Sequence, residues 1–123
     1  MKIAITSSGP ELQSEVDPRF GRCLYFIIYD TETDQFEAIE NSNIRGMGGV
    51  GVQSGQIMAD KGVEVVITGN CGPNAFRTLN AASIQLITGA TGTVESAIRE
   101  YKDGKLKPTN QSNAESHSGL NKN

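Results

Sequence analysis

Histidine and cysteine, the side chains that most often ligate metals and serve as nucleophiles, are scarce in this sequence. The 123 residues include one histidine, His117, and two cysteines, Cys23 and Cys71. The cysteines form no Cys-x-x-Cys pair, which excludes the usual zinc and thioredoxin motifs. Because His117 lies in a polar C-terminal stretch, no Ser/His/Asp or Cys/His catalytic arrangement can be built from the sequence.

An excess of basic residues and long apolar runs are also missing. The formal net charge of -3 argues against bulk electrostatic binding of nucleic acid. No run approaches the roughly 18 apolar residues of a transmembrane helix, and the N-terminal MKIAITSSG has too short an apolar core for a signal peptide. We therefore expect one cytoplasmic domain with no nucleic-acid or membrane partner.

The segments that are present predict an α/β fold. Strands are predicted at residues 2–6, 23–30, 35–40, 63–68 and 84–88, and helices at 52–61, at 73–80 and after the capping residue Thr93. The second and third strands predict an antiparallel hairpin, whose alternating second arm belongs near the sheet edge. A helix between the last two strands predicts that they are parallel. The result is a mixed sheet of about five strands flanked by about three helices.

The C-terminal stretch has a different composition. From residue 107 onward the sequence is polar and has no periodicity. Such a segment buries too little apolar area to offset its ordering entropy, so we predict a folded domain at 1–106 and a disordered tail at 107–123.

The strand–turn–helix segment VEVVITGNCGPNA is the first candidate for a site. It places Asn70, Cys71, Gly72 and Asn74 at the carboxyl end of a buried strand, where ligands bind in open α/β sheets. A thiol at the start of a helix is expected to have a lowered pKa and to suit a soft metal, which makes Cys71 the candidate metal ligand. The alternative is that Cys71 is a small buried core residue.

The DPRFGR segment is the second candidate. Its Asp17, Arg19, Phe20, Gly21 and Arg22 combine two guanidinium groups with a glycine turn, which could hold an anionic ligand through charge-assisted hydrogen bonds. The alternative is a structural loop in which Phe20 fills the core and Asp17 pairs with an arginine.

The glycine-rich segment is the third. Gly46, Gly48 and Gly51 match G-x-G-x-x-G, but the segment follows the second arm of a hairpin rather than the first strand of a β-α-β unit. We interpret Arg45, Gly46, Gly48 and Gly49 as part of a loop that lets backbone amides approach a ligand, with a mobile linker as the alternative.

Taken in order, MKIAIT, DPRFGRCLYFIIYD and TGNCGPNAF resemble the dinitrogenase iron–molybdenum cofactor biosynthesis domain family over about residues 1–106. This family includes the NifX-like carriers and the carboxyl-terminal domain of the nitrogenase cofactor assembly protein. The resemblance implies a ribonuclease H-like fold, a small stand-alone member, and binding of iron–sulfur or iron–molybdenum cofactor precursors. Arg19 stands where many relatives have histidine, so direct histidine ligation is not expected here.

The resemblance implies a non-catalytic carrier or scaffold that holds an anionic metal–sulfur cofactor or its precursor between the Arg19 loop, the Gly46–Gly51 loop and the Cys71 turn. Its partners would be cofactor assembly or acceptor proteins, and it would act as a monomer or weak homodimer. One alternative is a protein-interaction or regulatory module without cofactor. A nucleotide-binding or nuclease-type enzyme is disfavoured, because the first strand, KIAIT, has no carboxylate.

Overall fold

Five strands and three helices form within residues 1–41 and 50–109, the parts of the chain that this computed structural model describes. In chain order they are β1 (Lys2–Ser7), β2 (Tyr25–Asp30), β3 (Phe36–Glu40), α1 (Val50–Asp60), β4 (Val63–Ile67), α2 (Pro73–Ala81), β5 (Gln85–Ile87) and α3 (Val94–Lys102). Every predicted element is present. The second strand begins at Tyr25, so Cys23 precedes this strand and does not open it as predicted.

The strands form one mixed sheet in the order β3-β2-β1-β4-β5. β2 is antiparallel to both β1 and β3, whereas β4 is parallel to both β1 and β5. The predicted hairpin, parallel pair and edge position of the alternating strand β3 are therefore confirmed. β1 and β4 lie in the centre and are almost entirely buried, as expected for strands covered on both faces.

Helices cover both faces of the sheet and give two apolar cores. α1 and α2 pack on one face, where the core includes Phe26, Met58, Val66, Leu79 and Leu86. α3 packs on the other face, where the core includes Ile5, Ile27, Ile67, Val94 and Ile98. Burial of each such side chain contributes about 1.5–3 kcal/mol, so these two layers dominate the folding free energy. No helix in the described ranges is long and apolar enough to span a bilayer.

Local signals set the ends of the helices. Gly62 follows α1 with φ +76, a conformation that glycine adopts without strain. The Thr93 side chain accepts a hydrogen bond from the Ser96 N–H at 3.1 Å and caps α3, as predicted. Pro73 occupies the first turn of α2, where no backbone N–H is needed.

After α3 the chain returns to the sheet. Thr109 forms an antiparallel bridge with Leu86, and its Oγ1 accepts a hydrogen bond from the Thr88 N–H at 3.0 Å. Residues up to 109 thus contact the outer edge of β5, beyond the predicted boundary at residue 106. Residues 110–123 lie outside the described ranges, and the disorder of this tail stays a prediction.

A charged cluster joins the β2–β3 turn to α3. Lys102 Nζ donates hydrogen bonds to Asp34 Oδ1 at 2.7 Å and to the Tyr29 hydroxyl oxygen at 3.0 Å, while the Tyr29 hydroxyl donates to Asp34. Asp34 adopts φ +62, a region that aspartate tolerates better than most residues. The hydrogen bonds from Lys102 and then Tyr29 lower the pKa of the Asp34 carboxyl below its ordinary value.

Asp34→Asn should therefore lower the thermal stability in a pH-dependent way. A carboxyl whose pKa is lower in the folded state adds stability above its unfolded pKa of about 3.8, and this contribution is lost as the pH falls through the folded value. We expect the wild type to have the higher Tm at pH 7 and the difference to shrink below pH 3.8. Thermal melts followed by circular dichroism between pH 7 and a pH below 3.8 measure this difference in Tm. Glu100→Gln is the surface control. Equal Tm values at pH 7 would contradict it.

Candidate functional site

Two buried hydroxyls mark the carboxyl ends of the central strands β1 and β4. Thr6 and Thr68 are each 0% exposed, and their hydroxyl oxygens are hydrogen-bonded at 2.8 Å. The Thr6 hydroxyl also donates to the Asp17 carbonyl at 2.7 Å, and the Asp17 N–H donates to the Thr6 carbonyl at 2.9 Å. These bonds hold the DPRFGR segment against the carboxyl edge of the sheet.

The two sequence motifs predicted to share a site pair through their backbones. Arg19 forms a parallel bridge with Asn70. The Asn70 N–H donates to the Pro18 carbonyl at 2.6 Å, and the Phe20 N–H donates to the Asn70 carbonyl at 3.1 Å. The structure therefore brings the Arg19 turn and the Cys71 turn side by side.

One buried carboxylate orients Arg19 in this turn. Asp17 is 6% exposed and accepts a hydrogen bond from the Arg19 N–H at 3.0 Å. The same carboxylate lies 3.6 Å from Arg19 Nε, while the Arg19 side chain remains 63% exposed. Arg22 is exposed as well. The turn thus presents two guanidinium groups at the surface, one of them oriented by Asp17.

Three of the predicted binding residues in this turn have evident structural contacts. Asp17 pairs with Arg19, and Phe20 is 7% exposed with its ring centroid 5.8 Å from that of Phe26. Gly21 turns the chain with φ +93. These contacts agree with the alternative interpretation of the DPRFGR segment as a structural loop. A direct binding role for these three residues stays a prediction.

Asn41 ties the start of the glycine-rich segment to the same turn. It is 2% exposed, and its Nδ2 donates to the Gly21 carbonyl at 3.0 Å and to the Cys23 carbonyl at 2.9 Å. Sequence reasoning missed this residue, although an asparagine directly after a strand is a signal for such a cap.

The described residues on either side of the glycine-rich segment both lie at this same edge. β3 runs parallel to β1, so Asn41 lies at the carboxyl edge, and α1 begins at this edge because it leads back to the amino end of β4. The predicted site residues Arg45, Gly46, Gly48 and Gly49 lie outside the described residues and stay predictions. Since the segment follows an antiparallel hairpin arm, it lacks the context of a dinucleotide fingerprint.

Ser54 in α1 is a second residue that the sequence did not reveal. Its hydroxyl oxygen is fully buried and has no hydrogen-bond partner among the described residues. A buried hydroxyl without a partner costs free energy. Ser54 is therefore an energetically unfavourable polar position in α1, the helix that follows the glycine-rich segment.

The predicted lowering of the Cys71 pKa is wrong. Cys71 is 1% exposed, and burial raises the pKa of its thiol to about 12. Burial outweighs the field of the following helix because the thiolate loses its hydration. Burial, together with the charge of Asp17, likewise raises the pKa of Cys23 to about 12, consistent with its predicted buried position. A metal-ligand role for Cys71 stays a prediction.

The remaining predicted residues form the rim of the Cys71 turn. Asn70 and Asn74 are exposed, and Gly72 is half-buried before α2. Asn74 Oδ1 accepts a hydrogen bond from Arg77 Nη2 at 2.6 Å. Within the described residues no three or more His, Cys, Asp or Glu side chains converge to hold a metal ion. The accessible chemistry of this edge is therefore that of guanidinium and amide donors.

The fold and this edge define a single α/β domain with a candidate ligand site at the carboxyl ends of its central strands. The family model described as dinitrogenase iron–molybdenum cofactor matches residues 1–104. The chain belongs to this family, and the resemblance noted from its motifs is confirmed.

Individual relatives agree with this assignment. The chain is 35% identical to the orange protein from Desulfovibrio gigas, solved in its apo form, with a TM-score of 0.89 over 91% of this chain and 95% of that chain. It is 41% identical to a Thermotoga protein with a provisional NifB assignment, with a TM-score of 0.82 over 93% and 97%. A Methanocaldococcus jannaschii protein of unassigned function is 34% identical over 110 residues, 87% of this chain and 90% of its own length.

Gly69→Ala should disrupt the pairing of the two turns. An added Cβ would lie 2.7 Å from Pro18 Cα and 3.0 Å from the Pro18 carbonyl oxygen, both backbone atoms that cannot move without separating the segments. We expect a loss of about 1–3 kcal/mol in the free energy of unfolding, measured by urea denaturation. Gly72→Ala is the matched control, because an added Cβ there meets nothing within 4 Å. Equal stability of the two variants would contradict the proposed role of this close approach.

Both thiols should react slowly in the folded protein. With the pKa raised from 9.0 to about 12, the thiolate fraction of Cys71 at pH 8 falls roughly 100- to 1,000-fold. Iodoacetamide labelling followed by peptide mass spectrometry should show this retardation relative to the urea-unfolded protein. Rapid native labelling of Cys71 alone would instead support an accessible thiol of lowered pKa.

Proposed function

We propose that this protein is a non-catalytic carrier or scaffold for an anionic metal–sulfur cofactor or its precursor, of iron–sulfur or iron–molybdenum type. The observation that carries the proposal is the backbone pairing of Arg19 with Asn70, which gathers the two family motifs into one surface. Membership of the dinitrogenase iron–molybdenum cofactor family supports the class of cargo.

The cargo is held chiefly by charge and hydrogen bonds rather than by metal–thiolate bonds. Arg19 is 63% exposed, so its guanidinium can turn from Asp17 toward an anion at little cost. Arg22 and the backbone amides of the glycine-rich segment supply further donors. Cys71 is buried and protonated at neutral pH, so ligation by its sulfur requires the turn to open. Such a site binds its ligand reversibly, which suits a protein that must transfer the ligand to an acceptor.

The absence of catalysis and the finer fold assignment are part of the same proposal. Asp17 is the one buried carboxylate among the described residues, whereas two-metal hydrolysis needs several carboxylates that converge. The strand order β3-β2-β1-β4-β5, with an antiparallel half and a parallel half, supports a ribonuclease H-like architecture. We infer a cytoplasmic protein, monomeric or weakly dimeric, with cofactor assembly or acceptor proteins as its partners.

Anaerobic titration with preformed clusters tests the proposal. The purified protein is mixed separately with a thiomolybdate cluster and with an iron–sulfur cluster, then desalted and analysed for metal and charge-transfer absorbance. We expect near-stoichiometric retention of one of them. Arg19→Ala should weaken retention about tenfold or more, the loss of one charge-assisted contact, and Cys71→Ser should weaken it less.

Arg99→Ala is the matched control for Arg19→Ala. Arg99 is 66% exposed and also pairs with a carboxylate, Glu95, but it lies on α3, away from the site. Equal losses in the two arginine variants would show nonspecific electrostatic binding. If no cluster is retained, the carrier function is wrong and a protein-interaction module without cofactor becomes the better assignment.

A further inference from the structure

α1 lacks the sequence features that stabilise α3. Two glycines, Gly51 and Gly55, lie within its eleven residues, and glycine is the least favourable helix residue after proline. Its first turn contains no acidic residue. By contrast, α3 contains no glycine, begins after the capping residue Thr93 and has Glu95 in its first turn, where a negative charge complements the helix dipole. α1 is therefore intrinsically the weaker of these two helices.

Close packing against α2 accounts for one of the two glycines. A Cβ added at Gly55 would lie 2.7 Å from Thr78 Cγ2 and 3.1 Å from Thr78 Cβ. The two helices approach each other too closely here for a larger residue. Because the helix itself is weak, α1 is held in place by its docking on α2 and on the sheet rather than by its own helical stability.

The buried Ser54 hydroxyl weakens this docking. Ser54 lies one turn before the fully buried Met58, so both side chains are on the face of α1 that packs on the sheet. The Ser54 hydroxyl has no hydrogen-bond partner among the described residues. Docking of α1 thus removes this hydroxyl from water without replacing its hydrogen bonds, whereas detachment of α1 returns it to water.

The apolar layer beneath α1 contains the Cys71 thiol. Met58 and Cys71 belong to the same buried cluster, and Cys71 is 1% exposed. α1 begins at the carboxyl edge of the sheet, which is also the edge where Cys71 lies. α3 packs on the opposite face, over a separate apolar layer. Detachment of α1 alone would therefore uncover the layer around Cys71 and leave the other layer intact.

We propose that α1 detaches transiently from α2 and the sheet, which frees the Cys71 turn and makes its thiol accessible to a ligand. The Arg19–Asn70 surface can then bind an anion while α1 is docked, and contact with the sulfur requires the opening of α1. This inference rests on the proposed function only for the identity of the ligand, since the opening is a property of the protein without cargo.

Hydrogen exchange and thiol labelling of the protein without added cofactor test the proposal. The rate of Cys71 labelling by iodoacetamide at pH 8, divided by the rate in urea, gives the fraction of molecules in which the thiol is open. Exchange of the α1 amides should give a similar open fraction. Both should exceed the open fraction of the β1 amides, which report global unfolding, by at least about tenfold. Because no cluster is added, failure of the carrier function would not affect this result.

Ser54→Ala is the decisive variant. It removes the unpaired hydroxyl, so we expect the docked state to gain stability and Cys71 labelling to slow about tenfold. Gly55→Val should have the opposite effect, because its side chain forces α1 away from Thr78. Ser96→Ala, the same substitution in α3, is the matched control and should leave Cys71 labelling unchanged.

Three results would overturn the proposal. The first is Cys71 labelling at the open fraction of the β1 amides, which would mean that only global unfolding exposes the thiol. The second is unchanged Cys71 labelling in Ser54→Ala while exchange of the α1 amides slows, which would mean that the Cys71 turn opens independently of α1. The third is equal slowing of Cys71 labelling by Ser54→Ala and Ser96→Ala.

Discussion

The hydrogen bond between the buried hydroxyls of Thr6 and Thr68 is the constraint on which the candidate site depends. Both threonines end apolar central strands, and a hydroxyl removed from water must be paired. Their pairing, together with the bond from Thr6 to the Asp17 carbonyl, holds the DPRFGR segment over the strand ends. Only from there can Pro18 and Phe20 pair with Asn70, and only a glycine at position 69 allows the backbones to approach so closely.

Most of the fold could be predicted from the sequence because its signals are local. Alternation in Phe36–Glu40, a continuous apolar run in Val63–Ile67, and caps such as Thr93 each depend on a few neighbouring residues. The order of the strands could not be obtained in this way, since it depends on which apolar faces meet across the whole chain.

The site was predictable only in part, for the same reason. The Cys71 turn was expected at a strand's carboxyl end from the sequence itself. That the Arg19 turn lies beside it was implied only by the family resemblance, and the Arg19–Asn70 bridge agrees with it. Asn41 and Ser54 were missed, since their importance depends on burial against distant segments. The pKa of Cys71 was predicted in the wrong direction because the helix start is visible in the sequence, whereas the desolvation that opposes it is a property of the folded core.

The contact of Thr109 with Leu86 and Thr88 gives the sheet two unlike borders. At β5 the returning chain occupies outward backbone groups, while at β3 the corresponding groups are open among the described residues. A sheet with two open borders can stack end to end without limit, as in amyloid fibrils. A sheet with one occupied border offers only the other border to a second copy of this chain. Edge pairing between copies would therefore join two sheets through β3 and leave each with its occupied β5 border on the outside, which opposes further stacking of sheets in the same direction.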